Sequence, residues 1–173
     1  MLHRLGRLLE RSPGTELLEE GAPLPQLTAA DQDGVEMDLA EELGRGWWLI
    51  YFFPRADTPG CTIQACSLRD AFEDLRKFGV GVVGVSVDSA DRSKRFQQRH
   101  SLPFRFLPDP EHRILKAFGV ATVFGWSRRI SFLFHDGTLV WRDLHASPFR
   151  QAADVLRRVG GEDPAQSGTP GHP

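Results

Sequence analysis

Apolar and polar positions alternate with two different periods along the chain. The longest apolar run is Trp47 to Phe53, and Val80 to Val87 is nearly as apolar, interrupted only by Gly81, Gly84 and Ser86. Runs of this length predict two strands covered on both faces. Between them Ala65, Leu68, Phe72 and Leu75 recur at helical spacing, which predicts one helix over 62–78. Residues 89–100 read as a polar helix that Ser89 can cap. Residues 103–107 read as a short strand, and 111–118 as a helix stopped by Gly119.

Two Asp-Gly pairs mark turns. Asp33-Gly34 lies between Leu24, Leu27 and Val35, Met37; Asp136-Gly137 joins strands 130–134 and 138–142. Asp38 to Gly44 is a short capped helix. A last amphipathic helix spans 147–159, with Pro148 in its first turn. Two buried strands joined by a helix pair in parallel through a right-handed crossover. The terminal hairpin then adds antiparallel edge strands. The expected fold is α/β, a mixed central sheet flanked by helices. The division is an arm over 1–20, a body over 21–159 and a Gly/Pro-rich tail over 160–173.

Composition narrows the function. At 173 residues the chain suits one domain. Lys and Arg number 21 against 23 Asp and Glu, so no basic excess exists to hold a nucleic-acid backbone. No apolar run approaches the roughly 20 residues of a membrane helix. The first ten residues lack the apolar core of a secretory signal, so a cytoplasmic, reducing compartment is expected.

Only two cysteines occur, Cys61 and Cys66, too close together to close a useful loop. A site is expected just beyond the carboxyl end of the 47–53 strand. There Thr58 can cap a helix whose first residue is Pro59, which puts Cys61 in the first turn. Unpaired backbone N–H groups and the helix dipole stabilise negative charge at that position, and thiolate is the reactive form of cysteine. The bland alternative is a small buried hydrophobe. Cys66 divides evenly between a second reactive thiol and packing beside Ala65 and Leu68. Five residues of helix separate the two sulfurs by about 7.5 Å of rise and about 140° of rotation. A Cys61–Cys66 bond therefore requires the helix start to unwind. The six histidines show no paired ligand spacing, and neither a metal nor an organic cofactor is called for. An arginine just before the run 130–134 can point to the same end of the sheet. Arg128 and Arg129 are equal candidates by composition.

Pro54, Thr58 and Cys61 in PxxxTxxC spacing resemble the active-site motif of peroxiredoxins. The stretch 51–70 (YFFPRADTPGCTIQACSLRD) is similar to the bacterioferritin comigratory protein, or peroxiredoxin Q, subfamily, and the likeness runs from about Gly21 to Val159. The resemblance implies a thioredoxin-like fold and thiol-dependent reduction of hydrogen peroxide and organic hydroperoxides. It implies Cys61 as the peroxidatic cysteine and Cys66 as the resolving one. Pro54 would shield the thiolate, and Thr58 would hydrogen-bond the peroxide. Arg129, directly before Ile-Ser-Phe, matches the family arginine better than Arg128. Thioredoxin or a similar dithiol is the implied reductant, and a local disulfide leaves no need for a second subunit, so a monomer is expected. Two rival readings are a disulfide exchanger without peroxide specificity and a non-enzymatic redox sensor.

Overall fold

A computed structural model describes residues 16–161. The leucine spacing at residues 2–9 and the tail beyond residue 161 lie outside the described residues. In chain order the elements are β1 (Thr28–Ala30), β2 (Glu36–Asp38), α1 (Leu39–Leu43), β3 (Trp47–Phe52), α2 (Pro59–Asp70), α3 (Phe72–Lys77), β4 (Val80–Ser86), α4 (Ala90–Arg99), β5 (Arg105–Pro108), α5 (Arg113–Phe118), β6 (Thr122–Val123), β7 (Trp126–Ser127), β8 (Ile130–His135), β9 (Thr138–Asp143) and α6 (Gln151–Val159).

The central sheet has the order β5-β4-β3-β8-β9. β3 pairs in parallel with β4 and antiparallel with β8; β4 pairs in parallel with β5, and β8 antiparallel with β9. The mixed sheet is as expected. One detail differs: of the hairpin's two strands β8 is interior, and β9 alone lies at an edge, opposite β5. Five successive positions, Ile130 to Phe134, are buried because β8 lies inside the sheet where helices cover both faces.

Side chains alternate across the sheet and build two cores. Ile50, Phe52, Phe132 and Phe134 face α1 and α5, where they meet Leu39, Leu43, Ile114 and Phe118. Leu49, Tyr51, Phe53 and Leu133 face α2 and α6, where they meet Cys61, Ala65, Leu68 and Val155. By the same alternation Ser131 looks to the α2 and α6 side. It is fully buried there.

The expected single helix over 62–78 is two helices that meet at Ala71, which ends α2 and begins α3. The apolar spacing at 65, 68, 72 and 75 runs straight through the break, so periodicity alone does not reveal it. The last helix begins at Gln151 rather than near Ser147. Residues 147–150 make a turn in which the Arg150 N–H bonds the Ser147 carbonyl. The Asp136-Gly137 turn matches expectation: both residues have positive φ, 47° and 76°, as a two-residue hairpin demands. Residues 122–127 form a small hairpin that the sequence pattern did not announce. Before the body, the Leu18 N–H bonds the Phe118 carbonyl, and Arg142 donates to the Leu18 carbonyl.

Gly84 of β4 lies level with Tyr51 on one side and Phe106 on the other. A Cβ there would sit 2.7 Å from the Phe106 ring and 3.1 Å from Tyr51, both fully buried. Gly84→Ala is expected to cost about 1–3 kcal/mol through overpacking, read as a lower urea midpoint at unchanged slope. An unchanged midpoint would show that the two rings have room to move.

Candidate active site

The site begins where β3 stops. The Phe53 N–H still bonds the Val85 carbonyl. Pro54 has no N–H to continue the ladder and stands half-buried at the strand end. The loop that follows is clamped from the α4 side. Asp88, buried, accepts from the Ala56 N–H at 2.7 Å and from the Ser86 hydroxyl at 2.8 Å. Arg92 pairs with Asp88 at 3.2 Å and donates to the Ala56 carbonyl at 3.2 Å. Arg99 holds Asp57, which has a positive φ of 65°, at 2.7 Å.

Thr58 occupies the N-cap of α2 and Pro59 its first helical position, as expected. The Thr58 hydroxyl, however, bonds no helix N–H. It donates instead to the Arg55 carbonyl at 2.9 Å, closing the loop on itself. Its oxygen keeps its lone pairs for other donors. The first-turn N–H groups of α2 are thus left without a side-chain partner from Thr58.

Cys61 lies in that first turn with 1% of its surface exposed. Arg129, immediately before β8, donates from Nη2 to the Cys61 sulfur at 3.4 Å. Arg128 is exposed. The geometry therefore brings Arg129, not its neighbour, to the sulfur, and strand alternation explains why. Arg129 shares a face with Ser131 and Leu133, the face that α2 covers, whereas Arg128 shares a face with Ile130. Gly60 leaves the space that Arg129 needs: a Cβ there would sit 3.1 Å from Nη2.

Cys66 lies five residues on, within the same unbroken helix, and both thiols are free. It is half-buried beside an open groove of about 620 Å³ that Ile63, Asp70, Phe149, Ala152 and Leu156 also line.

Sequence reasoning missed three residues here. Arg129 donates from Nη1 to Gln64 Oε1. Gln64 donates from Nε2 to Gln151 Oε1 at 2.6 Å, and Gln151 donates from Nε2 to Ser131 Oγ. Gln64, Gln151 and Ser131 are all fully buried. Gln64 was open to discovery, because it lies one turn after Cys61 on the same face. Gln151 carries no local signal, being 87 residues away from Gln64 in sequence. Tyr51 also borders the site. Its buried hydroxyl has no hydrogen-bond partner among the described residues, and burial, then charge on Cys61, pushes it well above its ordinary range. It is a neutral donor at any physiological pH.

The structure thus puts one cysteine at a helix start, an arginine on its sulfur, and a second free thiol about one and a half turns along the same helix. Residues 21–142 match the AhpC/TSA family. The chain belongs to that family. It is 39% identical over 123 residues to Peroxiredoxin Bcp of Escherichia coli strain K12, covering 67% of this chain and 78% of that protein. Chloroplastic Peroxiredoxin Q of Oryza sativa subsp. japonica is 40% identical over 109 residues, 62% of this chain and 50% of that protein. Among solved structures, Xanthomonas campestris Peroxiredoxin Q aligns with a TM-score of 0.74 and 25% identity, over 84% of this chain and 97% of that one. Peroxidoxin BcpB of Mycobacterium tuberculosis shares the fold with a TM-score of 0.78 at 24% identity, over 83% and 97%. The thioredoxin-like fold and the likeness to Bcp and peroxiredoxin Q proteins thus agree with the motif. AhpC/TSA membership supports a thiol peroxidase.

Among the described residues no helix is long and apolar enough to cross a membrane.

Arg129→Gln is expected to slow the first oxidation of Cys61 by roughly 100-fold, the scale for loss of one preorganised donor to developing charge. Stopped-flow mixing with hydrogen peroxide measures it. A rate within about twofold of wild type would remove Arg129 from the reacting centre.

Proposed function

We propose that the chain is a thioredoxin-dependent peroxidase that reduces hydrogen peroxide and organic hydroperoxides through an intramolecular disulfide. One observation carries the reading: the Arg129 guanidinium donates to the sulfur of Cys61 at the start of α2. The Cys61 thiolate attacks one peroxide oxygen and forms an S–O bond. The O–O bond breaks, and its electron pair leaves on alkoxide or hydroxide, which takes a proton. Arg129, Thr58 and the first-turn N–H groups orient the peroxide and stabilise charge spreading over its two oxygens, while Pro54 shields the thiolate. Cys61 is then a sulfenic acid.

The Cys66 thiolate attacks that sulfur, an S–S bond forms as the S–O bond breaks, and the departing hydroxide takes a proton from solvent to become water. With α2 intact the two side chains point about 140° apart, so its first turns must open for this step. An external dithiol, thioredoxin in this reading, reduces the disulfide and is itself oxidised. Both cysteines lie on one helix, so resolution needs no second subunit and a monomer suffices. The cycle belongs in the cytoplasm, where a reducing pool returns both thiols, and it serves antioxidant defence.

Stopped-flow oxidation by peroxide, coupled to thioredoxin-dependent turnover, tests the reading. Fast oxidation followed by sustained turnover is expected. Comparable activity on protein disulfides would favour the exchanger. Oxidation without turnover would favour the sensor.

A further inference from the structure

The line from Arg129 through Gln64 and Gln151 to Ser131 joins four elements of chemistry and structure: the arginine on the sulfur, the turn of α2 between the cysteines, the first residue of α6, and strand β8. We propose that Gln151 is a positioning residue that does two jobs through Gln64. It holds Arg129 on Cys61, and it latches the turn of α2 that must open before Cys66 can reach the sulfur. The inference rests on the peroxidase reading above.

The hydrogen-bond chemistry of the line allows one direction only. Arg129 has donors and no acceptor, so Gln64 must present Oε1 to it. That commits Gln64 Nε2 to donate elsewhere, and the acceptor it finds at 2.6 Å is Gln151 Oε1. Gln151 must then donate, and Ser131 Oγ receives the bond. Every member is fully buried apart from Arg129, so no water stands ready to replace a lost partner. Without Gln151 the Gln64 amide is free to turn its donors toward the guanidinium, and Arg129 loses its fixed seat.

The same bond distinguishes two states of the chain. Gln64 lies between Cys61 and Cys66, within the segment that a disulfide forces open. Its bonds to Arg129 and Gln151 exist while α2 is intact and break when it unwinds. A contact made in only one of two states biases the equilibrium toward that state. Gln151 therefore favours the peroxide-reactive arrangement and retards resolution.

The test uses the full chain with Gln151→Met, which keeps length and apolar bulk but has no amide, and Ser131→Ala, a smaller change that removes only the last acceptor. Hydrogen exchange on the reduced protein reads the latch without any peroxide. Amides of residues 61–66 are expected to exchange several times to about tenfold faster in Gln151→Met, and less so in Ser131→Ala, with α4 unchanged. Stopped-flow single turnover reads the consequence. Oxidation by hydrogen peroxide should slow while disulfide formation speeds up, so sulfinic acid formed at excess peroxide, seen by mass spectrometry, should fall. General destabilisation would not move the two rates in opposite directions. Unchanged exchange at 61–66 in both variants overturns the latch, and unchanged oxidation with faster exchange overturns the hold on Arg129. Failure of the peroxidase reading is separate, because it shows in wild type as a Cys61 that peroxide does not oxidise.

Discussion

Cys61→Ser is expected to abolish peroxide turnover, by at least about 10³-fold, while leaving the fold intact. The substitution exchanges one atom in a side chain that is 1% exposed, and a serine oxygen can still accept from Arg129. What is lost is the nucleophile. A serine hydroxyl does not ionise at neutral pH, and neither Arg129, which donates to the Cys61 sulfur, nor the neutral Tyr51 beside it is a base that could take its proton. Peroxide consumption with a dithiol reductant measures the loss, and a urea melt checks that the protein is folded. Turnover that survives in a folded Cys61→Ser protein assigns the chemistry to another residue.

The second large effect is expected from Cys66→Ser. The first half of the cycle needs only Cys61 and its neighbours, so the variant should consume one equivalent of peroxide per chain in a burst. Thioredoxin-dependent turnover should then stop, because the sulfenic acid has no second cysteine in the chain to meet and thioredoxin has no disulfide to attack. Excess peroxide should carry Cys61 on to sulfinic acid, which thiols do not reverse. The burst amplitude and the mass of the product read both effects. Steady turnover with thioredoxin would show that Cys66 takes no part in resolution.

The sheet and the place of the site were legible because they rest on short-range signals. An apolar run of seven residues between Gly46 and Pro54 has the length of a buried strand and is short for a helix. Thr58, Pro59 and the spacing to Cys61 mark a helix start without any knowledge of the rest of the fold. The Asp136-Gly137 turn is equally local. Features that depend on distant residues were not legible. The break at Ala71 leaves the apolar spacing untouched. β8 takes an interior place because β3 and β9 flank it, which no property of residues 130–134 states alone. The choice between Arg128 and Arg129 became a geometric fact only when β8 acquired faces. Thr58 is the instructive middle case: its position was readable, but its hydroxyl turned to Arg55, a loop contact that spacing does not encode.

The most direct measurement is a peptide map of the full reduced chain after one equivalent of hydrogen peroxide, with intact mass recorded alongside. The account predicts a monomer lighter by two hydrogens, with Cys61 and Cys66 joined in one peptide. Unmodified Cys61, or a disulfide between two chains in place of one within the helix, would contradict it.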